Sequence, residues 1–230
     1  MERQRFFAEL DRRIAQHDLL CHPFYKAWSA GTLTRAELRE YAAQYYNHVA
    51  AFPQHLATLA EWLPASELRS AVLENEADER GVGAPDGRTH DELWLDFAEG
   101  MDGTRRGAAP LAEVRELISG FERVAREGAP EEALAAFYAY ESQVPRVAKE
   151  KARGLRELYG AGDKACRYFD LHQTADVHHS GVWREQLAQL VTDGGGGDAE
   201  RALTAAESAA KALWRALDGI ERERLARRAA

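Results

Sequence analysis

Apolar residues recur along this chain at the three- and four-residue spacing of helices. Over residues 3–18, Phe6, Phe7, Leu10 and Ile14 sit among charges, an amphipathic pattern. Pro23 opens a short element carrying Phe24, Tyr25 and Trp28, which stops at Gly31. Thr34 and Glu37 are spaced as a capping box, so a long aromatic helix (ELREYAAQYYNHVAAF) is predicted to follow. Pro53 lies inside that pattern and predicts a kink. Helix returns at about 66–79, and RGVGAPDGR (80–88) reads as a loop. Thr89 and Glu92 make a second capping box, which puts His90 in the first turn of the next helix. Further helices are predicted near 110–127, 130–158, 161–192 and 199–227. The glycines at 194–197 read as a turn, because a phosphate loop needs a preceding strand and a lysine. Neither strand-period alternation nor an internal repeat appears. The fold class is all-α, a single domain over 1–230 with about seven or eight helices.

Composition narrows the function. Of 230 residues, 45% are hydrophobic and 30% charged, the balance of a soluble globular chain. The net charge of −8 gives no basic field for phosphates, so nucleic acid is excluded as a partner. The basic C-terminal stretch (ERERLARRAA) is interleaved with acids and reads as a solvated helix end. The two cysteines, Cys21 and Cys166, lack CxxC spacing, so a zinc or dithiol site is not indicated. The charged start (MERQRFFAELDRRI) has no apolar stretch of a signal peptide. No apolar run reaches the roughly 20 residues of a membrane span. These features predict a cytoplasmic protein without a membrane partner. A bundle of this size is also expected to pair as a homodimer through an exposed helix face.

The candidate chemistry lies in YFDLHQTADVHHSGVW. His172, Asp176 and His179 stand at i, i+4 and i+7, one stripe of a continuous helix. Two imidazoles and a carboxylate aimed at one place suit non-haem iron with open positions. Glu141, set among aromatics, is expensive to bury unless paired or bound to a metal. Upstream, Glu74, Glu76, Asp78 and Glu79 precede His90. Di-metal sites in bundles draw carboxylates and histidines from several facing helices. Glu79, His90, Glu141, His172, Asp176 and His179 would supply two metals. Taken singly, the stripe reads equally as a surface face, Glu141 as a core salt bridge and Glu79 as a solvated acid. His178 falls about 100° from His179 and points elsewhere. His48 and His55 read as core or surface residues, and His17 as exposed.

Four stretches carry a family resemblance: HPFYKAWSAGTLT (22–34), EYAAQYYNHVAAFP (40–53), YAYESQVPRVAKEKARGLRELYG (138–160) and YFDLHQTADVHH (168–179). With them the chain resembles the CADD family of haem-oxygenase-like di-metal oxidases and oxygenases. The resemblance implies a haem-oxygenase-like bundle. It implies a di-iron or iron–manganese centre held by Glu79, His90, Glu141, His172, Asp176 and His179. The loop before His90 is longer than the family pattern, which leaves Glu76 or Asp78 as alternatives to Glu79. The resemblance further implies formation of para-aminobenzoate, with dioxygen and an external reductant. In that chemistry a protein tyrosine supplies the ring and a lysine the nitrogen, and the matching residues are Tyr25, Tyr41 and Lys151. Three other readings stand beside it. One is a di-metal oxygenase with an external small-molecule substrate. Another is a metal-free protein like those of pyrroloquinoline-quinone synthesis or thiaminases, the thiaminase type needing a cysteine nucleophile. The last is a binding protein.

Overall fold

The computed structural model describes residues 2–192 and 196–229. Among them there are eleven α-helices, one short 3-10 turn (Leu19–Cys21) and no strand. The helices are α1 (Arg3–Ala15), α2 (Pro23–Ser29), α3 (Arg35–Trp62), α4 (Glu67–Glu79), α5 (His90–Gly100) and α6 (Ala112–Glu127). They continue as α7 (Pro130–Glu141), α8 (Val144–Glu157), α9 (Asp163–His172), α10 (Ala175–Val191) and α11 (Ala199–Ala229). The all-α class is as expected, and both predicted capping boxes are formed, at Thr34–Glu37 and Thr89–Glu92. Of the predicted glycine turn, Gly194 and Gly195 lie outside the described residues.

The helix number exceeds seven or eight because the short element at Pro23 counts as a helix of its own and two predicted rods, 130–158 and 161–192, are each broken once, turning nine predicted stretches into eleven. The first breaks at Ser142 and Gln143, two residues before Pro145, whose ring suits the first turn of α8 but not a helix interior. Gln143 Nε2 donates to the Ala139 carbonyl at 3.1 Å and fills part of that break. The second falls at Gln173 and Thr174, where the Thr174 hydroxyl donates to the Leu171 carbonyl at 3.1 Å. Helix α3, by contrast, runs through Pro53 to Trp62.

α7 is buried on every side from Ala133 to Glu141, as befits a central helix. α11 and α10 both pack against it, and α11 also covers α6. α3 packs on α4, α5 and α6, while α9 joins α5 to α8. The buried apolar side chains form one contiguous cluster from Phe6 to Ile220. His48 and His55 belong to this interior, and His17 is half-buried against Trp214 rather than simply exposed. No described helix is long and apolar enough to cross a membrane.

Candidate metal centre and the buried lysine

The end of α4 and the start of α5 build one half of the site. Glu79 is the last residue of α4, and the chain then reverses through Gly81, whose φ is +70°. A side chain at Gly81 would run into the Arg88 carbonyl, so glycine lets the two ends of the loop touch. Arg88 donates to the buried Asp96 carboxylate at 2.5 Å and pins the far end. The Thr89 box then starts α5 with His90 as its first residue. His172, the last residue of α9, completes the group, its ring centroid 4.6 Å from that of His90. Its Nδ1 bonds the Tyr168 carbonyl at 2.7 Å, and its ring stacks on Tyr168 at 4.0 Å. This leaves Nε2 free to ligate.

Glu141 ends α7, and Asp176 and His179 lie in the first turns of α10. The structure therefore sorts the six predicted residues into two buried triads, Glu79–His90–His172 and Glu141–Asp176–His179. Within each, one potential ligand atom per residue lies within 4.8 Å of the others. The predicted single stripe is corrected. The break at Gln173 and Thr174 parts His172 from Asp176 and His179, so the run serves both triads. Glu79 is the acid that stands with His90 and His172. Asp78 instead accepts from His179 Nε2 at 3.1 Å, and Glu76 pairs with Arg80. His178 is exposed, as predicted.

Burial alone would raise the Glu79 carboxyl, but the neighbouring His90, His172 and His179 outweigh it and hold it below the usual range. Burial would likewise discharge His179, yet Asp176, Glu141 and Asp78 push it up to about 10. Glu141 rises to about 8, from burial and then from the Asp176 charge. Asp176 Oδ2 is buried without a hydrogen-bond partner, while His90 Nδ1 lies 2.9 Å from Glu79 Oε2 and His179 Nδ1 3.5 Å from Asp176 Oδ1, ion-pair contacts that lack hydrogen-bond alignment. Nitrogen and oxygen donors of this kind, converging in threes, fit divalent metal ions.

The lysine site is of another kind. Tyr25 on α2, Tyr41 on α3 and Lys151 on α8 are all buried. Lys151 Nζ donates to Tyr25 Oη at 2.8 Å and to Tyr41 Oη at 2.5 Å, and the two hydroxyls are 2.9 Å apart. The nitrogen lies 4.3 Å from the Tyr25 ring centre and within 5.7 Å of Trp28, Tyr41, Tyr45, Trp94 and Phe169. Among the described residues no acid pairs with it, and burial holds its pKa well below 10.5. Cys21 is exposed and Cys166 buried, and neither belongs to a triad.

The model of the family described as iron-containing redox enzyme matches residues 39–214, which include all six triad residues. The chain belongs to that family. It is 33% identical over 214 residues to a protein named 4-aminobenzoate synthase from Chlamydia pneumoniae, spanning 92% of each chain. It is 35% identical over 234 residues to the protein of that name from Nitrosomonas europaea, covering 96% of this chain and 92% of the relative. A crystal structure from Shewanella denitrificans, described as having a heme oxygenase-like fold, superposes with a TM-score of 0.79 at 17% identity. That match covers 98% of this chain and 94% of the other. The family resemblance and the haem-oxygenase-like bundle expected from the sequence are thus both borne out.

Sequence reasoning passed over Asn75 and Trp183, which both reach Glu141. Asn75 Nδ2 donates to Oε1 at 2.9 Å and Trp183 Nε1 donates to Oε2. The signal was spacing: Asn75 stands four before Glu79 and Trp183 four after His179, each on the helix face of a triad residue.

Proposed function

We propose that this chain holds two metal ions, iron or iron with manganese, and forms 4-aminobenzoate from its own side chains. Tyr25 supplies the ring and Lys151 the nitrogen, with dioxygen and an external reductant consumed. The observation that carries this reading is a buried lysine amine in contact with two buried phenols, joined through aromatic rings to metal-competent triads.

Glu79, His90 and His172 would hold one ion, a two-histidine, one-carboxylate set that leaves positions open. Glu141, Asp176 and His179 would hold the other through a more oxygen-rich set. Bound there, the ions supply oxidising power from dioxygen toward a phenol. The remaining work belongs to the side chains. Burial lowers the Lys151 pKa well below its ordinary value, which favours the neutral amine that a nitrogen nucleophile requires. The Tyr25 hydroxyl proton has Tyr41 Oη within reach as an acceptor at 2.9 Å. Aromatic rings link the two sites without a gap. Tyr25 meets Tyr41 at 6.1 Å, Tyr41 meets Trp94 at 5.8 Å, Trp94 meets Tyr168 at 4.9 Å, and Tyr168 stacks on His172.

The test is metal content by elemental analysis after expression with added iron and manganese, then reductant, oxygen and an assay for 4-aminobenzoate. The expected result is about two equivalents of metal, product at no more than one per chain, and mass lost at Tyr25. A second reading, an oxygenase with an external substrate, draws on a cavity of about 430 Å³ that reaches His90 and Asp78 from the 82–88 loop. Tyr25→Phe separates the two readings: product stops in the first and largely survives in the second.

A further inference from the structure

Glu141 is 1% exposed, and both of its oxygens are held by side chains as deeply buried, Asn75 at 2% and Trp183 at 0%. An indole N–H and an amide N–H₂ can only donate, so both bonds point at the carboxylate as acceptor. Each oxygen keeps one lone pair after accepting one bond.

The choice of partner is unusual within this chain. Trp28, Trp62 and Trp94 each donate to a backbone carbonyl, those of Lys151, Ala125 and Ala42. A carbonyl satisfies an indole N–H without burying a charge. Trp183 is given a carboxylate, which costs far more to bury. Asn75 spends its donor on the same group, while its own Oδ1 is buried without a partner. Packing alone accounts for neither arrangement. The placement is systematic as well. α4 carries Glu79 of one triad and, one turn earlier, a donor for Glu141 of the other. α10 carries Asp176 and His179 and, one turn beyond His179, the second donor.

We propose that Asn75 and Trp183 are positioning residues of the metal centre. Their N–H groups fix the Glu141 carboxylate, one on each oxygen, so that its remaining lone pairs face an ion shared with Asp176 and His179. This rests on the reading of Glu141, Asp176 and His179 as a metal site. Ligand-orienting hydrogen bonds of this type are worth roughly 10–100-fold in metal affinity.

The experiment is calorimetric titration of the metal-free protein with Mn(II), in wild type, Trp183→Phe and Asn75→Leu, with melting temperatures of the metal-free forms alongside. Trp183→Phe keeps the buried ring and removes the N–H. Two equivalents are expected in wild type. Each variant is expected to keep one class of site unchanged and to weaken the other by roughly 10–100-fold. Two sites of wild-type affinity in both variants overturn the proposal, even if the melting temperature falls, and leave the metal reading standing. If Trp183→Phe does not fold, Asn75→Leu decides by the same criterion. No uptake by wild type overturns the metal reading itself, and the positioning role with it.

Discussion

The two buried polar sites of this molecule treat charge in opposite ways. At the triads, three carboxylates and three imidazoles are interleaved, and where opposite charges lie close they outweigh burial, so that His179 is pushed up to about 10. At Lys151 the walls among the described residues are rings and phenols with no carboxylate, and burial lowers the pKa instead. Depth is alike in the two places, since Lys151 is 5% exposed and His90 also 5%. A close counter-charge can therefore outweigh burial, as it does at Glu79 and His179. On the proposed function, one site would retain charge to attract cations, and the other would favour the neutral amine of a nucleophile.

The largest expected effect comes from putting a permanent charge into the uncharged site. Lys151→Arg should abolish 4-aminobenzoate formation, because a guanidinium stays protonated. It should also lower stability by roughly several kcal/mol, read by urea denaturation. Full product yield would remove Lys151 as nitrogen donor.

Next come the triads. His172→Ala and His179→Ala should each lose about one of two metal equivalents, and from different triads, while the bundle still folds on its apolar faces. Their double variant should lose both. Ordinary metal content in either single variant breaks the assignment.

The pH dependence is a finer test. A lysine whose folded pKa is depressed favours folding fully only above its ordinary value of 10.5. Stability falls as pH drops below that, by up to about 1.4 kcal/mol per pH unit until the folded pKa is reached. Lys151→Met should flatten this slope and raise stability at pH 7. An unchanged slope would mean the amine is charged where it lies. The smallest effect is expected at His48, buried among Tyr45, Phe121 and Tyr140 and held down to about 3 by burial. Neither of its ring nitrogens has a partner. His48→Leu should gain about 1–2 kcal/mol at neutral pH. The gain should grow on acidification below 6.5, where the unfolded imidazole takes up a proton and the folded one does not.

The all-helical fold and the placement of His90 were legible because capping boxes are local, with Thr89 and Glu92 marking the start of α5 within four residues. The triad residues of the 168–179 run were legible as residue types but not as geometry. No proline or glycine marks the break at Gln173 and Thr174, and a threonine hydroxyl does the work of ending α9. Lys151 looks like any charge in AKEKARG; its burial is set by α2 and α3, far away in sequence. Asn75 is hidden for the opposite reason, as an uncharged residue within a run of acids. Its role shows only when α7 brings Glu141 to it.

The tight reversal at Gly81 has a consequence for the order of assembly. It joins Glu79 to His90 across a short loop, so that half of a triad closes at little entropic cost, as does the Asp176–His179 pair within one helix. His172 and Glu141 arrive only when distant helices dock. Each triad is thus a local pincer completed by a remote third arm. An ion caught between them acts as a clasp across long chain loops, and its removal should loosen the bundle along those seams first.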